Sequence, residues 1–235
     1  RLNRRQRQMC IRDRFDTIND VNKNDEASPI MEIKFNRGNI YKQKVTNMAR
    51  VISEIGYDVT NRPPTIIGIC EVENRNVVED LIANEKLSKY NYGIVHYDSP
   101  DRRGIDVGLL YNKDIFKVIN SNSHVLYINY NNTSDRSFTR DQLVVSGKLD
   151  GELIHLIVNH WPSRGADETK RMAAAEVNNR IIDSLRKIHN NPKIITMGDF
   201  NDDPFDKSIK KILGAKKKIE DVGKNDLYNP FEEIL

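Results

Sequence analysis

The sequence is short of cysteine, tryptophan and long apolar runs: it has two cysteines and one tryptophan among 235 residues. Cys10 lies in an arginine-rich stretch and Cys70 at the end of a predicted strand, which excludes a disulfide framework and a thiolate metal site. No apolar run approaches the roughly 20 residues that a membrane-spanning helix needs, so we expect no integral membrane segment. The chain is long enough for one large α/β domain, and 30% of its residues are charged.

Positive charge is concentrated at the start of the chain. The net charge is +3, but residues 1–14 carry six arginines and one aspartate, so the other 221 residues sum to −2. A globally basic body for binding nucleic acid is therefore not indicated. Residues 1–14 also lack an apolar face and resemble translated adapter sequence, so we predict that they are a non-native segment; a genuine basic arm is the alternative. We assign residues 15–235 to a single domain.

Hydrophobic periodicity predicts alternating helices and strands after a polar, turn-rich surface loop at residues 15–38. Apolar residues at spacings of three and four predict a helix from Asn39 to Gly56 and a longer one over residues 166–189. Apolar and β-branched runs predict strands that include residues 65–70, 106–111, 152–158 and 194–197. Asp150-Gly151 predicts a tight hairpin turn. This alternation is typical of an α/β fold.

Polar side chains follow three of the predicted strands. Glu71 follows an early strand, His160 comes just after a later one, and Asp199 and Asn201 come directly after the last. Ligands of open α/β sheets collect at the carboxyl ends of strands, and buried carboxylates usually hold a cation or a reacting group. Two of these signals also have a structural explanation: an acid cluster at a helix N-terminus for Glu71, and an Asx-rich turn for Asp199 and Asn201.

Four segments of the sequence together resemble a known family. They are Ile69-Cys70-Glu71-Val72-Glu73-Asn74, Arg103-Gly104-Ile105-Asp106-Val107, Asn159-His160-Trp161-Pro162-Ser163-Arg164 and Gly198-Asp199-Phe200-Asn201-Asp202. In this order they resemble the endonuclease/exonuclease/phosphatase superfamily, and in particular an uncharacterised bacterial branch with Glu-Val-Glu-Asn after the early strand. The resemblance covers about residues 15–205. It implies a four-layer α/β sandwich in which two mixed β-sheets pack face to face between flanking helices.

The resemblance also implies roles for individual residues. Glu71 would be the carboxylate ligand of a divalent metal, with Mg²⁺ expected and Mn²⁺ or Ca²⁺ as alternatives, since the site offers oxygen ligands. Asp199 would orient and help deprotonate the attacking water, and Asn201 would hydrogen-bond a phosphate oxygen. His160 would contact the scissile phosphate or protonate the leaving group. Substrate-binding roles fall to three further residues, Arg103, Asp106 and Arg164.

Two elements of the family pattern are missing from the sequence. Family members have an asparagine-bearing strand just before the Phe-Asp that matches Phe15-Asp16, whereas a basic segment precedes it here. Members also end with a Ser-Asp-His element, but no histidine follows His189. We therefore expect a domain that is truncated at both ends, with its first and last strands missing. By itself it should be catalytically inactive or nearly so.

We expect the full-length parent to be a metal-dependent phosphoesterase that cleaves phosphodiesters as a nuclease does. The alternatives are a phosphomonoesterase, a phospholipase-type diesterase and a non-catalytic binding module on the same scaffold. The expected partner is a phosphate-ester substrate, with nucleic acid as one candidate, and the sequence indicates no protein partner. Localisation is open, with export from a bacterial cell suggested by the resemblance alone.

Overall fold

The computed structural model describes residues 30–129 and 136–234, and it describes side chains from residue 38 onward apart from residue 129. The helices are α1 (Ile30–Glu54), α2 (Tyr57–Thr60), α3 (Arg75–Ala83) and α4 (Glu168–Ile188), with a π-helical turn at Ser208–Leu213 and 3-10 turns at Ser88–Tyr90, Ile219–Asp221 and Pro230–Glu233. The strands are β1 (Ile66–Val72), β2 (Tyr92–His96), β3 (Asp106–Asn112), β4 (Phe116–His124), β5 (Ile128–Asn129), β6 (Arg136–Ser137), β7 (Gln142–Leu149), β8 (Glu152–His160) and β9 (Lys193–Asp199). None of the helices in this part of the chain is long and apolar enough to cross a membrane. The predictions for residues 1–14 and 15–29 lie outside the described residues.

The strands form two main sheets. The first is antiparallel with the order β1-β3-β2, and the second is mixed with the order β4-β7-β8-β9. In the second sheet β8 and β9 are parallel neighbours because α4 crosses over between them, whereas β4, β7 and β8 are antiparallel. β7 and β8 form the predicted hairpin, and Asp150 (φ 49°) and Gly151 (φ 85°) have the positive φ angles that a type I′ turn requires. β5 and β6 form a separate two-stranded ribbon.

Three apolar cores separate four layers. α1 and α3 cover the outer face of the first sheet, the two sheets pack face to face, and α4 covers the outer face of the second sheet. Representative members of these three cores are, in the same order, Val45, Ala49 and Leu81; Leu109, Phe116 and Leu156; and Ala174, Ile181 and Trp161. This arrangement is the four-layer α/β sandwich that the sequence resemblance implies, so the predicted fold class is confirmed. Both sheets were expected to be mixed, but in the described strands the first sheet is antiparallel.

α1 is longer than the sequence pattern predicts. Residues 30–38 were expected in a surface loop, but the helix begins at Ile30 and includes them. Gly38 and the polar residues around it favoured the loop, yet a glycine inside a helix costs only about 1 kcal/mol relative to alanine. Burial of Val45, Ala49 and Ile52 in the same helix outweighs that cost. The predicted end of the helix is close to the observed one, because α1 stops at Glu54 and Gly56 has φ 65°.

Candidate active site

The carboxyl ends of β1, β8 and β9 meet at one edge of the sandwich. The parallel register of β8 and β9 places His160 directly opposite Asp199. The backbone N–H of Trp161 donates to the carbonyl of Asp199 at 2.9 Å, which continues the pairing past the strand end. β1 comes from the other sheet, and the thiol of Cys70 donates to the carbonyl of Asn159 at 3.2 Å. Side chains that follow three separate strands are therefore held side by side.

Gly198 allows β8 and β9 to approach closely at this edge. Its φ is 128°, and a Cβ at this position would lie 2.0 Å from the carbonyl oxygen of Asn159. No residue with a side chain fits there, and the conformation itself is unfavourable for L-residues other than glycine. The glycine that ends the last predicted strand is therefore a requirement of the packing that sets Asp199 beside His160.

Glu71 is turned into the site by an irregularity in β1. The pairing of β1 with β3 shifts register between Cys70 and Val72, and Glu71 has a left-handed backbone with φ 58°. Its side chain is 13% exposed, and its Oε1 lies 3.9 Å from His160 Nε2 and 4.0 Å from Arg103 Nη1. Among the described residues no group donates a hydrogen bond to the Glu71 carboxylate. A carboxylate buried to this degree is costly unless a cation or a donor accompanies it.

One nitrogen of His160 lies close to both carboxylates of the site. Its Nε2 is 3.9 Å from Glu71 Oε1 and 4.0 Å from Asp199 Oδ2, and only 3% of the side chain is exposed. Nδ1 is buried and has no hydrogen-bond partner within the described part of the chain. Burial lowers the pKa of His160 from 6.5 to about 3, and the nearby guanidinium groups of Arg140 and Arg103 add to the effect. The imidazole is therefore neutral at ordinary pH, with one N–H to donate.

The acidic turn after β9 divides into a part that faces the site and a part that supports the loop. Asp199 Oδ1 accepts the backbone N–H of Asn201 at 2.9 Å, which leaves Oδ2 on the His160 side. Asn201 has φ 52°, and its amide donates one hydrogen bond to the carbonyl of Trp161 at 2.9 Å. Asp202 instead points inward and pairs with Arg171 at 2.6 Å, with both side chains buried. One part of the turn thus faces the site, and the other part anchors the loop.

Arg140 and Asp101 belong to the site although the sequence pattern did not single them out. Arg140 donates to Asp101 Oδ2 at 3.0 Å and to the carbonyl of Trp161 at 2.6 Å, and its side chain is 6% exposed. Asp101 Oδ1 also accepts the backbone N–H of Arg103 at 2.9 Å. Because β7 is antiparallel to β8, the start of β7 lies at the same edge as the end of β8. The sequence signal that could have identified Arg140 is its position as a charged residue just before the apolar strand β7.

Two predicted substrate-binding residues make other contacts. Asp106 accepts from the backbone N–H of Ser99 at 2.7 Å and lies 3.1 Å from His96 Nε2. With Asp98, these two side chains form the one group in the described part of the chain whose three ligand atoms all lie within 4.8 Å of one another and could hold a metal ion. Arg164 contacts the site through the carbonyl of Asn201 at 3.1 Å. Its guanidinium also pairs with two carboxylates of the acidic loop, Asp203 at 2.8 Å and Asp206 at 2.5 Å.

The structure therefore sorts the seven predicted residues into two sets. Glu71, His160, Asp199, Asn201 and Arg103 surround one small volume at the strand ends. Asp106 and Arg164 lie on the segments around it and have partners of their own. No contact described here tests the role of any of them, so the roles stay predictions.

Comparison with known proteins identifies the family. The sequence profile described as the Endonuclease/Exonuclease/phosphatase family matches residues 9–235. The matched range includes part of the segment predicted to be non-native, and that prediction is not decided by the match. No curated protein sequence matches the chain.

Three proteins with solved structures illustrate the similarity in fold. A humanized D. rerio TDP2 has a TM-score of 0.51 at 15% identity, covering 72% of this chain and 60% of that one. The human nocturnin catalytic domain has a TM-score of 0.51 at 19% identity, covering 72% and 63%. The Bacteroides thetaiotaomicron mannosyl-6-phosphatase has a TM-score of 0.55 at 16% identity, covering 77% and 65%. At these identities the likeness shows the fold, and the chain spans less than two thirds of the length of each.

Proposed function

The chain belongs to the endonuclease/exonuclease/phosphatase family, and we propose that the site at the ends of β1, β8 and β9 serves divalent-metal-dependent hydrolysis of phosphodiesters. Each activity in the family's name acts on phosphate ester bonds, so phosphoester hydrolysis is the general function. The observation that carries the finer proposal is the Glu71 carboxylate. It is 13% exposed, has no donor among the described residues, and adjoins His160 and Asp199.

The side chains present fit a hard divalent cation. Glu71 offers carboxylate oxygens that are not used in hydrogen bonds within the described residues, and Asp199 Oδ2 lies 4.0 Å from the same His160 nitrogen that Glu71 approaches. Oxygen ligands without thiolates favour Mg²⁺, with Mn²⁺ and Ca²⁺ as alternatives. The cation, when bound, would neutralise charge on the phosphate oxygens. The neighbouring group of His96, Asp98 and Asp106 is a second place where a cation could bind.

The protein side chains would position a water molecule and a phosphate. Asp199 Oδ1 is fixed by the Asn201 backbone, so Oδ2 is left to accept a proton from the attacking water. Asn201 uses one amide N–H on the Trp161 carbonyl and keeps a second for a phosphate oxygen. Arg103 supplies a positive charge 4.0 Å from Glu71. These donors would stabilise charge that develops on the phosphoryl oxygens.

His160 is better suited to hold the phosphate than to protonate the leaving group. A general acid needs a proton to give at the working pH, and burial keeps the pKa of His160 near 3. The neutral ring still donates one hydrogen bond. Of the two roles that the sequence left open, the contact with the scissile phosphate therefore has the stronger support.

We further propose that residues 1–235 by themselves hydrolyse phosphodiesters slowly or not at all. The sequence has no histidine after His189, so the closing Ser-Asp-His pattern of the family has no counterpart among these residues. Glu71 itself is present, and metal binding can be measured without turnover. Binding and turnover can accordingly be tested separately.

Binding is tested by thermal unfolding with and without Mg²⁺. The melting temperature of the wild type should rise with Mg²⁺, since a ligand of the folded state stabilises it by RT ln(1 + [L]/Kd). Glu71→Gln should lose the response. Glu79→Gln, an exposed carboxylate paired with Arg75, is the matched control and should keep it. An equal Mg²⁺ response in the wild type and Glu71→Gln would refute the metal assignment.

Turnover is tested with bis-p-nitrophenyl phosphate. We expect a rate close to background for the 235-residue chain. Mg²⁺-dependent release of nitrophenol that Asp199→Asn abolishes would contradict the proposed inactivity and support the hydrolase assignment. Release from p-nitrophenyl phosphate but not from the diester would favour the phosphomonoesterase alternative.

The names of similar structures cover several substrates. One D. rerio TDP2 structure is complexed with single-strand DNA product, and another similar protein is a mannosyl-6-phosphatase. Within the proposed function we favour a nucleic acid, because of the surface described next.

A further inference from the structure

Beside the ribbon of β5 and β6, the guanidinium groups of two arginines lie over a pair of exposed aromatic rings. Tyr127 precedes β5 and is 60% exposed, and Phe138 follows β6 and is 42% exposed. The guanidinium carbon of Arg136 lies 5.3 Å from the Tyr127 ring centre and 5.0 Å from the Phe138 ring centre. The guanidinium carbon of Arg102 lies 5.9 Å from the same Phe138 ring. We call these four residues the aromatic platform.

The two arginines of the platform differ from their neighbours in their partners. Arg103 and Arg140 pair with Asp101, whereas neither Arg102 nor Arg136 has a carboxylate within 4.0 Å among the described residues. Arg136 Nε is also buried without a hydrogen-bond partner in that part of the chain. Two like charges close to one ring repel each other, and a bound anion would relieve that repulsion.

The platform is joined to the candidate active site by short stretches of chain on both sides. Arg102 is the residue before Arg103, whose guanidinium lies 4.0 Å from Glu71. Two residues after Phe138, Arg140 donates to the Trp161 carbonyl next to His160. A polymer with one phosphate bound at the candidate active site would therefore have this surface beside its neighbouring nucleotides.

We propose that the aromatic platform stacks the unpaired bases of a single-stranded nucleic acid whose backbone enters the active site. Aromatic side chains bind the faces of bases, and arginines contribute cation–π and phosphate contacts. Bases within a duplex are stacked on one another, so only a single strand offers its faces. The position of the phosphate in this proposal rests on the proposed function, and what is added is the substrate class, a single-stranded nucleic acid.

The local character of the platform agrees with the charge distribution. Outside residues 1–14 the chain has a net charge of −2, and a negative net charge does not attract the phosphate backbone of duplex DNA over long distances. Two arginines lie on exposed rings with no carboxylate within 4.0 Å among the described residues, although burial raises the pKa of Asp141 and Arg136 is near enough to oppose that rise. They give a short-range site in which base stacking supplies a large part of the affinity. A sugar phosphate has no aromatic face and would gain nothing from Tyr127 or Phe138.

The test compares two fluorescently labelled DNA octamers of equal charge, one with normal bases and one built entirely of abasic residues. Binding is measured by fluorescence polarisation in excess EDTA, so that neither metal nor turnover contributes. Wild-type protein should bind the base-containing strand at least about 5- to 150-fold more tightly, which corresponds to roughly 1–3 kcal/mol for a single stacked base. A duplex octamer should bind no better than the abasic strand.

Variants locate the effect on the platform. Tyr127→Leu and Phe138→Leu should each reduce the preference for bases while leaving affinity for the abasic strand unchanged. Tyr127→Phe keeps an aromatic ring and should retain the wild-type preference for bases. Arg136→Gln should weaken binding of both strands. Tyr228→Leu, which removes a 41% exposed tyrosine elsewhere, is the control and should behave as wild type. Melting temperatures of all variants are measured first, to restrict the comparison to folded proteins.

Equal affinity for base-containing and abasic strands in the wild type would overturn the proposal, as would tighter binding of the duplex. A loss in Tyr228→Leu as large as that in Tyr127→Leu would do the same. Because these measurements use no metal, their failure leaves the Mg²⁺ response of Glu71 untouched. Failure of the Mg²⁺ test would likewise leave a measured base preference standing, so the two proposals fail separately.

Discussion

Burial of His160 should make the stability of the metal-free protein depend on pH. Its pKa is about 3 in the folded protein and 6.5 when unperturbed, so the unfolded state binds the proton more tightly. Stability is therefore unaffected above pH 6.5 and is lost as the pH falls from 6.5 towards 3. Between pH 7.5 and pH 5 the loss from this one residue is about 2 kcal/mol. At pH 5 this figure is set almost wholly by the unfolded imidazole, because folded His160 is still neutral.

The measurement compares urea unfolding of the wild type and His160→Gln at both pH values, in excess EDTA. Trp161 is the one tryptophan of the sequence and is fully buried, which makes its fluorescence a suitable signal. Other groups titrate in both proteins, so the quantity of interest is the change in the difference between them. The wild type should lose about 2 kcal/mol more than His160→Gln on going from pH 7.5 to 5.

Lys217→Gln, an exposed substitution far along the chain, is the control and should track the wild type at both pH values. A difference between wild type and His160→Gln that stays constant to within about 0.5 kcal/mol would show that burial does not hold the imidazole neutral. In that case His160 would again be available as a general acid near neutral pH, and the preference for a phosphate contact would be wrong.

Three further substitutions test how the site is supported, each by urea unfolding. Gly198→Ala should cost more than about 3 kcal/mol from strain and overlap with backbone, whereas Gly214→Ala, with φ 67° and open space, should cost about 1–2 kcal/mol. Arg171→Met should cost about 3–5 kcal/mol by leaving Asp202 buried and unpaired, and adding Asp202→Asn should recover part of the loss. Arg164→Gln should cost less than about 1 kcal/mol, because its ion pairs are half exposed; a larger loss would make it a structural residue.

The sequence was informative about which strands deliver polar side chains. Glu71, His160, Asp199 and Asn201 each follow an apolar run directly, and the shared direction of parallel strands brings the last three to one edge. The four layers could be predicted from the family resemblance together with the alternation of helices and strands. In both cases local order along the chain was enough, because the relevant contacts follow from strand direction.

The features that could not be predicted from the sequence depend on tertiary contacts. Glutamate is not a residue that favours positive φ, so the left-handed backbone that turns Glu71 into the site had no signal. The burial of His160, and with it the low pKa, comes from layers that pack around it. Arg140 reaches Asp101 and Trp161 from a segment that is distant in sequence from both. Gly38 misled the prediction of α1 because packing decided against its local preference.

The site draws Glu71 from one sheet and His160 and Asp199 from the other, and the core between the sheets, together with the hydrogen bond from Cys70 to Asn159, fixes their separation. The middle core therefore works as a spacer as well as a source of stability. A change of one methylene at Leu156 or Leu109 would alter the gap between carboxylate and imidazole even if the protein stayed folded. Over evolutionary time, activity should therefore restrict the middle core more tightly than stability alone would require.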